Sequence, residues 1–416
     1  MRIAQCGGRH NALLATMEAL ANRTDDEAFR QTGYHEPGLP DDNEPGGSMT
    51  DTMKRPADLA APGALRDWFT DGLRSKLLEK GYPVVEGDQP AERGGIALHP
   101  IDVTAPKSFR RRNRAVFVVG IGEGEDVPEV PLATLYPLQL RSLGNIFILV
   151  IRNGRNGYQE AFVSTLEQGS YSFVYNGDDD EYFERVVERL APLATSNLII
   201  ENEFVSDLEP ELWDGDDVTA SITRAGKKLD DLDLLPSPFP IDDYLPEADL
   251  RHLKQMFNIG GLSYGNVSAR KDDTRFWMSA SGVDKSNLEE VGTEILMVTD
   301  FIPERKAMRL SVPPHVNPRR VSVDAIEHFM IYREHRSVGA ILHIHAWMAD
   351  IASTHINYPC GTIELATAVA DLVRQAPDPG HAVIGLRNHG LTITGENLDE
   401  IFARVEEKVI RQVPMV

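Results

Sequence analysis

The chain has 416 residues, room for two domains of ordinary size. A formal net charge of -22, with no large basic patch, argues against nucleic acid as a partner, because phosphate binding needs clustered positive charge. Hydrophobic residues make up 42% and charged residues 25%, the balance of a soluble globular protein, and no apolar run nears the ~18 residues of a membrane span, so no membrane partner is expected. The two cysteines, Cys6 and Cys360, stand in unlike contexts. They suggest no disulfide framework, and a reducing, cytoplasmic compartment fits them. The run Leu13-Leu14-Ala15 is broken by Glu18 and precedes no clear cleavage site, so it does not read as a signal peptide.

Residues 1–60 are expected to be disordered, or to be a mis-annotated extension of a protein whose translation starts at Met49. The stretch from Gly38 to Ser48 is rich in Gly, Pro, Asp and Asn and cannot bury much surface. Leu65, Trp68, Phe69, Leu73, Leu77 and Leu78 recur at helical spacing and predict a helix over 64–80, ended by Gly81 and Pro83. The short Val-, Ile- and Phe-rich runs 115–119 and 146–151 predict buried strands, and 198–200 is a third candidate. An amphipathic helix is expected over 182–190, opened by the acidic run Asp178–Asp180 and stopped ahead of Pro192. Residues 64–215 thus read as a small α/β domain of unknown role. The basic run from Arg110 to Arg114 is expected to be a solvated loop leading into a strand. Gly120-Ile-Gly122-Glu-Gly124 has neither the dinucleotide nor the P-loop spacing, and Glu123 and Glu125 would repel a phosphate, so no nucleotide site is expected there. Residues 216–248 are acidic and carry Pro236, Pro238, Pro240 and Pro246, the composition of a linker. A second domain is expected from 249 to 416.

The chemistry lies in that second region. Gly339-Ala-Ile-Leu-His343-Ile-His345 reads as a short apolar strand, and side chains two apart along a strand point the same way. Two imidazoles on one face can share a metal ion. They can equally be core histidines bonded to the backbone, although burying two polar rings side by side needs compensation. Strands are also expected over 382–386 and 391–394, and the turn between them sets His389 at a strand end. Three neutral nitrogens would leave coordination positions open for substrate or water.

Taken together, GNVSAR (265–270), SASGVDKSNL (279–288), DAIEHFMIYREH (324–335), VGAILHIHAW (338–347), CGTIELA (360–366) and GLRNHGLTITG (385–395) resemble the class II aldolase/adducin family over about 249–410. The resemblance implies an α/β fold for the C-terminal domain, an α/β/α sandwich with a mainly antiparallel central sheet, assembled as a homotetramer. It implies that His343, His345 and His389 are the metal ligands. Such a set suits Zn2+ best and also Mn2+, Fe2+, Co2+ or Ni2+. It places Asp324 at the position of the family's catalytic acid, where the aldolases carry Glu. The other reading of Asp324 is a first-turn acid that favours the helix dipole, with Ser322 as cap. Glu327, one turn later, is a less suited substitute. Asn266, Ser281, Gly282 and Ser322 match the family's phosphate cradle, while Val323 departs from it and Lys285 reads as a surface residue. Tyr358 lies near the position of a proton-donating tyrosine that a neighbouring subunit supplies in the aldolases. Cys360 reads as a packing residue and Glu364 as the opening of a helix. A last helix is expected over about 398–410, without the tail that closes the site in many family members.

The resemblance therefore implies a metal-dependent lyase of carbohydrate metabolism. It would act on a small hydroxy-carbonyl compound, sugar phosphates included, through an enolate. Epimerase, dehydratase and decarboxylase chemistry share that intermediate. The alternative is a non-catalytic, adducin-like assembly module, which Asp324, Val323 and the early C-terminus favour.

Overall fold

In the computed structural model, residue 59 and residues 61–85, 95–110, 116–166, 168–237, 239, 241–247, 250 and 264–416 are described. The expected extension 1–60 lies outside the described residues except for Leu59. Of the basic run only Arg110 is described, and it is exposed. Two compact units divide the chain. Among the described residues, one unit runs to Thr165 and takes in Ser170–Ala194, while the other comprises Leu166–Gly169 and Thr195–Val416.

In the first unit, six strands are hydrogen-bonded in the order Val84–Val85, Ile96–Pro100, Phe117–Asp126, Ile146–Asn153, Glu160–Thr165 and Gly169–Val174. The first four run parallel, and Glu160–Thr165 pairs antiparallel to Ile146–Asn153. The two-residue period of a strand shows directly in the packing. Ile146, Ile148 and Val150 join one core with the helices Ala64–Glu79 and Asp179–Thr195, through Leu65, Phe69, Leu73, Tyr182 and Val186. Phe147, Leu149 and Ile151 join a different core with Leu135 and Leu138 of the helix Pro131–Ser142. The expected stop ahead of Pro192 is corrected: the helix continues to Thr195 with Pro192 inside it. Ala191 is buried, and Leu193 and Ala194 pack against the same core. That burial outweighs the one backbone bond a proline forfeits. Gly120, Gly122 and Gly124 lie within a strand rather than in a loop. A Cβ would come within 2.7 Å of Phe147 at Gly120 and 2.5 Å of Val103 at Gly122, so glycine here makes room for neighbouring side chains.

The second unit holds a nine-stranded sheet in the order Ala352–Ser353, Val383–Leu386, Gly390–Gly395, Ala340–Ile344, Asn266–Arg270, Phe276–Ser279, Ile295–Ile302, Ala307–Ser311 and Glu201–Val205. Its pairings are antiparallel except at the two ends, where Ala352–Ser353 and Glu201–Val205 run parallel to their neighbours. The strand expected at 198–200 is replaced by Glu201–Val205, where continuous pairing with Ala307–Ser311 begins, and Leu198 makes only an isolated bridge to Thr362. The last helix is shorter than expected, Leu398–Val405, because the chain then turns back to pair Ile410 with Trp347.

The stretch expected as a linker contains the helix Asp217–Asp231. Its acidic composition hid an apolar stripe: Thr219, Ile222, Ala225, Gly226 and Leu229 are buried, while Asp217, Arg224, Lys227, Asp230 and Asp231 face out. Asp216 starts it with a reciprocal capping box to Thr219. The same carboxylate accepts from Lys271 Nζ at 2.7 Å and Trp277 Nε1 at 3.2 Å. Asp216→Ala is expected to cost about 1–2 kcal/mol, the usual worth of an N-cap. The readout is the urea unfolding midpoint, and an unchanged midpoint would show that the cap contributes nothing.

Candidate metal centre

The central strand Ala340–Ile344 sets the site. In register, His343 stands opposite Asn266 on one neighbour and Thr392 on the other. Directly opposed residues of antiparallel strands share a face, so one row across three strands carries Asn266, His343 and Thr392. All three are buried. The helix Ala325–Glu334 meets this row with two carboxylates. Asn266 Nδ2 donates to Asp324 Oδ2 at 2.7 Å, and Thr392 Oγ1 donates to Glu327 Oε1. Asp324 is itself the N-cap residue, yet its side chain makes no capping bond, because its carboxylate is turned toward Asn266. Ser322, expected as the cap, is instead buried two residues earlier, its N–H donating to the Ser279 carbonyl.

His345 follows the strand end, and His389 sits on the turn before Gly390–Gly395. The three rings form a near-equilateral triangle: centroids are 5.1 Å apart for His343 and His345, 5.0 Å for His343 and His389, and 4.9 Å for His345 and His389. One nitrogen of each lies within 4.8 Å of the other two, a grouping that could hold a metal ion. Burial holds all three imidazoles below the usual histidine range, well below it for His345 and His389, so they are neutral with lone pairs available. His343 Nδ1 lies 3.0 Å from the Leu391 carbonyl oxygen, which can only accept. Nδ1 therefore carries the proton, and Nε2 keeps its lone pair with no protein partner. Asp324 Oδ2 is 4.0 Å from that Nε2. With the imidazole neutral this is an approach, not an ion pair. Among the buried polar atoms without partners are His343 Nε2, His345 Nδ1, Asp324 Oδ1, Asn266 Oδ1 and Glu327 Oε2.

Two glycines let the strands come this close. A Cβ at Gly390 would stand 2.2 Å from the Ile344 carbonyl oxygen, and one at Gly265, whose φ is +69°, would stand 2.5 Å from that of His343. Asn388, just before the third histidine, has φ +57°. It is held there by a bond from its Nδ2 to the Gln168 carbonyl at 3.2 Å. The Gln168 side-chain amide also accepts from Asn357 Nδ2 at 2.7 Å and donates to the Tyr358 carbonyl at 2.9 Å, so one buried residue fastens the loop ahead of Cys360 by its side chain and the turn ahead of His389 by its backbone carbonyl. Nothing in the sequence around Gln168 signals this. Thr392 was legible only as a polar residue in an apolar strand.

Ser281 donates its backbone N–H to the Arg320 carbonyl, and Gly282 follows it with φ +69°. Lys285, expected at the surface, is corrected: it is buried at 4% exposure, and its positive charge helps hold His343 and His345 neutral. Tyr358 is half-buried, and burial raises its hydroxyl pKa, with Glu364 adding to the rise. Glu364 opens its helix and also accepts from the backbone and side-chain amides of Asn197. Cys360, expected only to pack, touches the His389 ring.

With this geometry in view, residues 250–359 match the Class II Aldolase and Adducin N-terminal domain. About a quarter of the chain thus carries a domain of the class II aldolase/adducin family. A stretch of 95 residues is 30% identical to the methylthioribulose-1-phosphate dehydratase of Citrobacter koseri, covering 23% of this chain and 41% of that enzyme. The chain thus spans about two fifths of the length of this curated relative. Among solved structures, an L-fuculose 1-phosphate aldolase aligns at 19% identity and TM-score 0.32, over 46% of this chain and 82% of its own. The N-terminal class II aldolase domain of a conserved protein from Thermoplasma acidophilum aligns at 13% identity and TM-score 0.31, over 49% and 95%. At such scores these likenesses add nothing to the family match. Among the described residues no helix is long and apolar enough to cross a membrane.

Burial, then the charge of Asp324, pushes the Glu327 carboxyl up to about 8 from the usual 4.5, against the bond from Thr392. Between those values the folded state holds the proton that the unfolded chain has released. Stability of the metal-free protein is therefore expected to fall as pH rises across that window. Glu327→Gln should flatten this slope in urea unfolding taken at successive pH values. Equal slopes in both proteins would mean that Glu327 is not the group responsible.

Proposed function

We propose that this protein is a metal-dependent carbon–carbon lyase acting on a small hydroxy-carbonyl compound, with His343, His345 and His389 holding the divalent ion. The observation that carries the reading is the lone pair of His343 Nε2, buried without a protein partner, on one edge of a triangle of neutral imidazoles. Zinc is the ion we assign, because a set of three imidazoles with positions left open suits it. When bound, the ion would stabilise negative charge developing on the substrate's carbonyl oxygen.

The chain's own groups move the proton. Asp324 is the general base we assign: it lies beside the imidazoles, and Asn266 fixes one oxygen while the other has no partner. The side chain is one methylene shorter than Glu, and that bond from Asn266 sets its direction. Glu327, the second buried carboxyl, is the form that stays protonated beside it, so the pair does not carry two adjacent negative charges. Tyr358 is the candidate donor to the leaving group, reached from a neighbouring subunit of a homotetramer. Ser281, Gly282 and Ser322, with the charge of the buried Lys285, would cradle an anionic group on the substrate. A phosphorylated substrate agrees with the sugar phosphate named for the Citrobacter koseri relative. Aldol cleavage, dehydration, epimerisation and decarboxylation all begin with charge on the same oxygen, so the assay must span them.

Turnover should be screened on a panel of hydroxy-carbonyl compounds, with and without phosphate, in the zinc-loaded full chain. Asp324→Asn is expected to lower kcat by about 100-fold to 10,000-fold, the usual worth of a positioned acid or base, while metal content stays at the wild-type level. Unchanged kcat would remove Asp324 from the role and leave Glu327 as the carboxyl to test.

A further inference from the structure

We infer that Cys360 supplies a fourth, sulfur ligand at this centre, an inference that rests on the metal site proposed above. Its Sγ lies 3.3 Å from Nδ1 and 3.2 Å from Nε2 of His389. Two donors sharing one tetrahedral ion, with sulfur at about 2.3 Å and nitrogen at about 2.0 Å, stand roughly 3.5 Å apart. The sulfur rests against the His389 ring at nearly that separation, outside the group formed by the three imidazoles, and a turn of its half-buried side chain would bring it onto the ion they share. The separation comes from the thiol's approach to one corner of the histidine triangle.

The loop carrying Cys360 is fastened on both sides. Thr362 Oγ1 donates to the Pro359 carbonyl at 2.8 Å, and the Ile199 N–H donates to the Gly361 carbonyl at 2.8 Å. Gly361, at φ +67°, lets the loop press on Val323, the neighbour of Asp324: a Cβ there would meet the Val323 side chain at 2.8 Å. A separate observation points to a ligand at the same place. His343, 1% exposed, aims an unpartnered Nε2 into the group that His389 completes. Cys360 itself is only half-buried, so the side chain has room to approach or withdraw.

A sulfur donor changes what the site selects. Thiolate ligands favour zinc and cobalt over magnesium or manganese. Four protein donors also describe a closed centre, and three an open one. The thiol therefore defines a resting state whose fourth position a substrate oxygen must take over. Val323, the apolar residue before Asp324, packs on the loop that carries the thiol.

The test is cobalt reconstitution of the full chain, wild type against Cys360→Ser and Cys360→Ala, followed by near-ultraviolet absorption. A sulfur-to-cobalt charge-transfer band in the wild type, lost in both variants while each still binds about one cobalt per chain, is the expected result for a coordinating thiol. Stoichiometric cobalt in the wild type without the band, or a band that survives both substitutions, overturns the inference and leaves the three-histidine site standing. Cobalt taken up by none of the three proteins overturns the metal site itself, and this inference with it.

Discussion

Imidazoles and carboxylates are costly to bury, and here several are buried at one level of a β-sheet. An amide or hydroxyl taken out of water without a partner costs several kcal/mol, and a charged group more. The row Asn266, His343 and Thr392 and the carboxylates it faces, Asp324 and Glu327, meet that cost in part by bonding to each other. The bonds do not use every atom. Asn266 Oδ1, Asp324 Oδ1, Glu327 Oε2 and His343 Nε2 are left over.

The surrounding structure serves this arrangement. His343 lies inside a strand, so its direction is fixed by sheet register, and the Leu391 carbonyl fixes its tautomer. His345 and His389 lie just outside strands and need other support. Gly265 and Gly390 let backbone pass close to the strand end, and Gln168 holds Asn388 in its left-handed conformation. The helix Ala325–Glu334 begins where its first residues can face the row, and the residue that would ordinarily cap it gives its carboxylate to the site.

Much of this was legible in the sequence, and the reasons are local. His343 and His345 are two apart in an apolar run, which suggested one shared face, although the strand ends at Ile344 and His345 lies just beyond it. His389 was legible as a residue of the turn between two strand-like runs, and its place beside the other two histidines followed from the resemblance to the family. The helix Ala64–Glu79 followed from periodicity, and the strand beginning at Ile146 from a short run rich in Val, Ile and Phe. The misses are tertiary. The helix Asp217–Asp231 was hidden because its exposed face is charged and its buried face small, which lowers the apolar content of the window. Lys285 read as a surface residue because lysine usually is one; only the fold shows it buried beside the histidines. Gln168 lies far along the chain from Asn357 and Asn388, and no local pattern connects them.

The most direct measurement is the metal content of the purified full chain, wild type against a His343→Ala/His345→Ala double variant, each after reconstitution with zinc. About one equivalent per chain in the wild type and none in the double variant is the predicted result for this ligand set. A wild-type protein that takes up no zinc, or a double variant that retains it, would contradict the metal centre; the first outcome would make an assembly role the better reading of this domain.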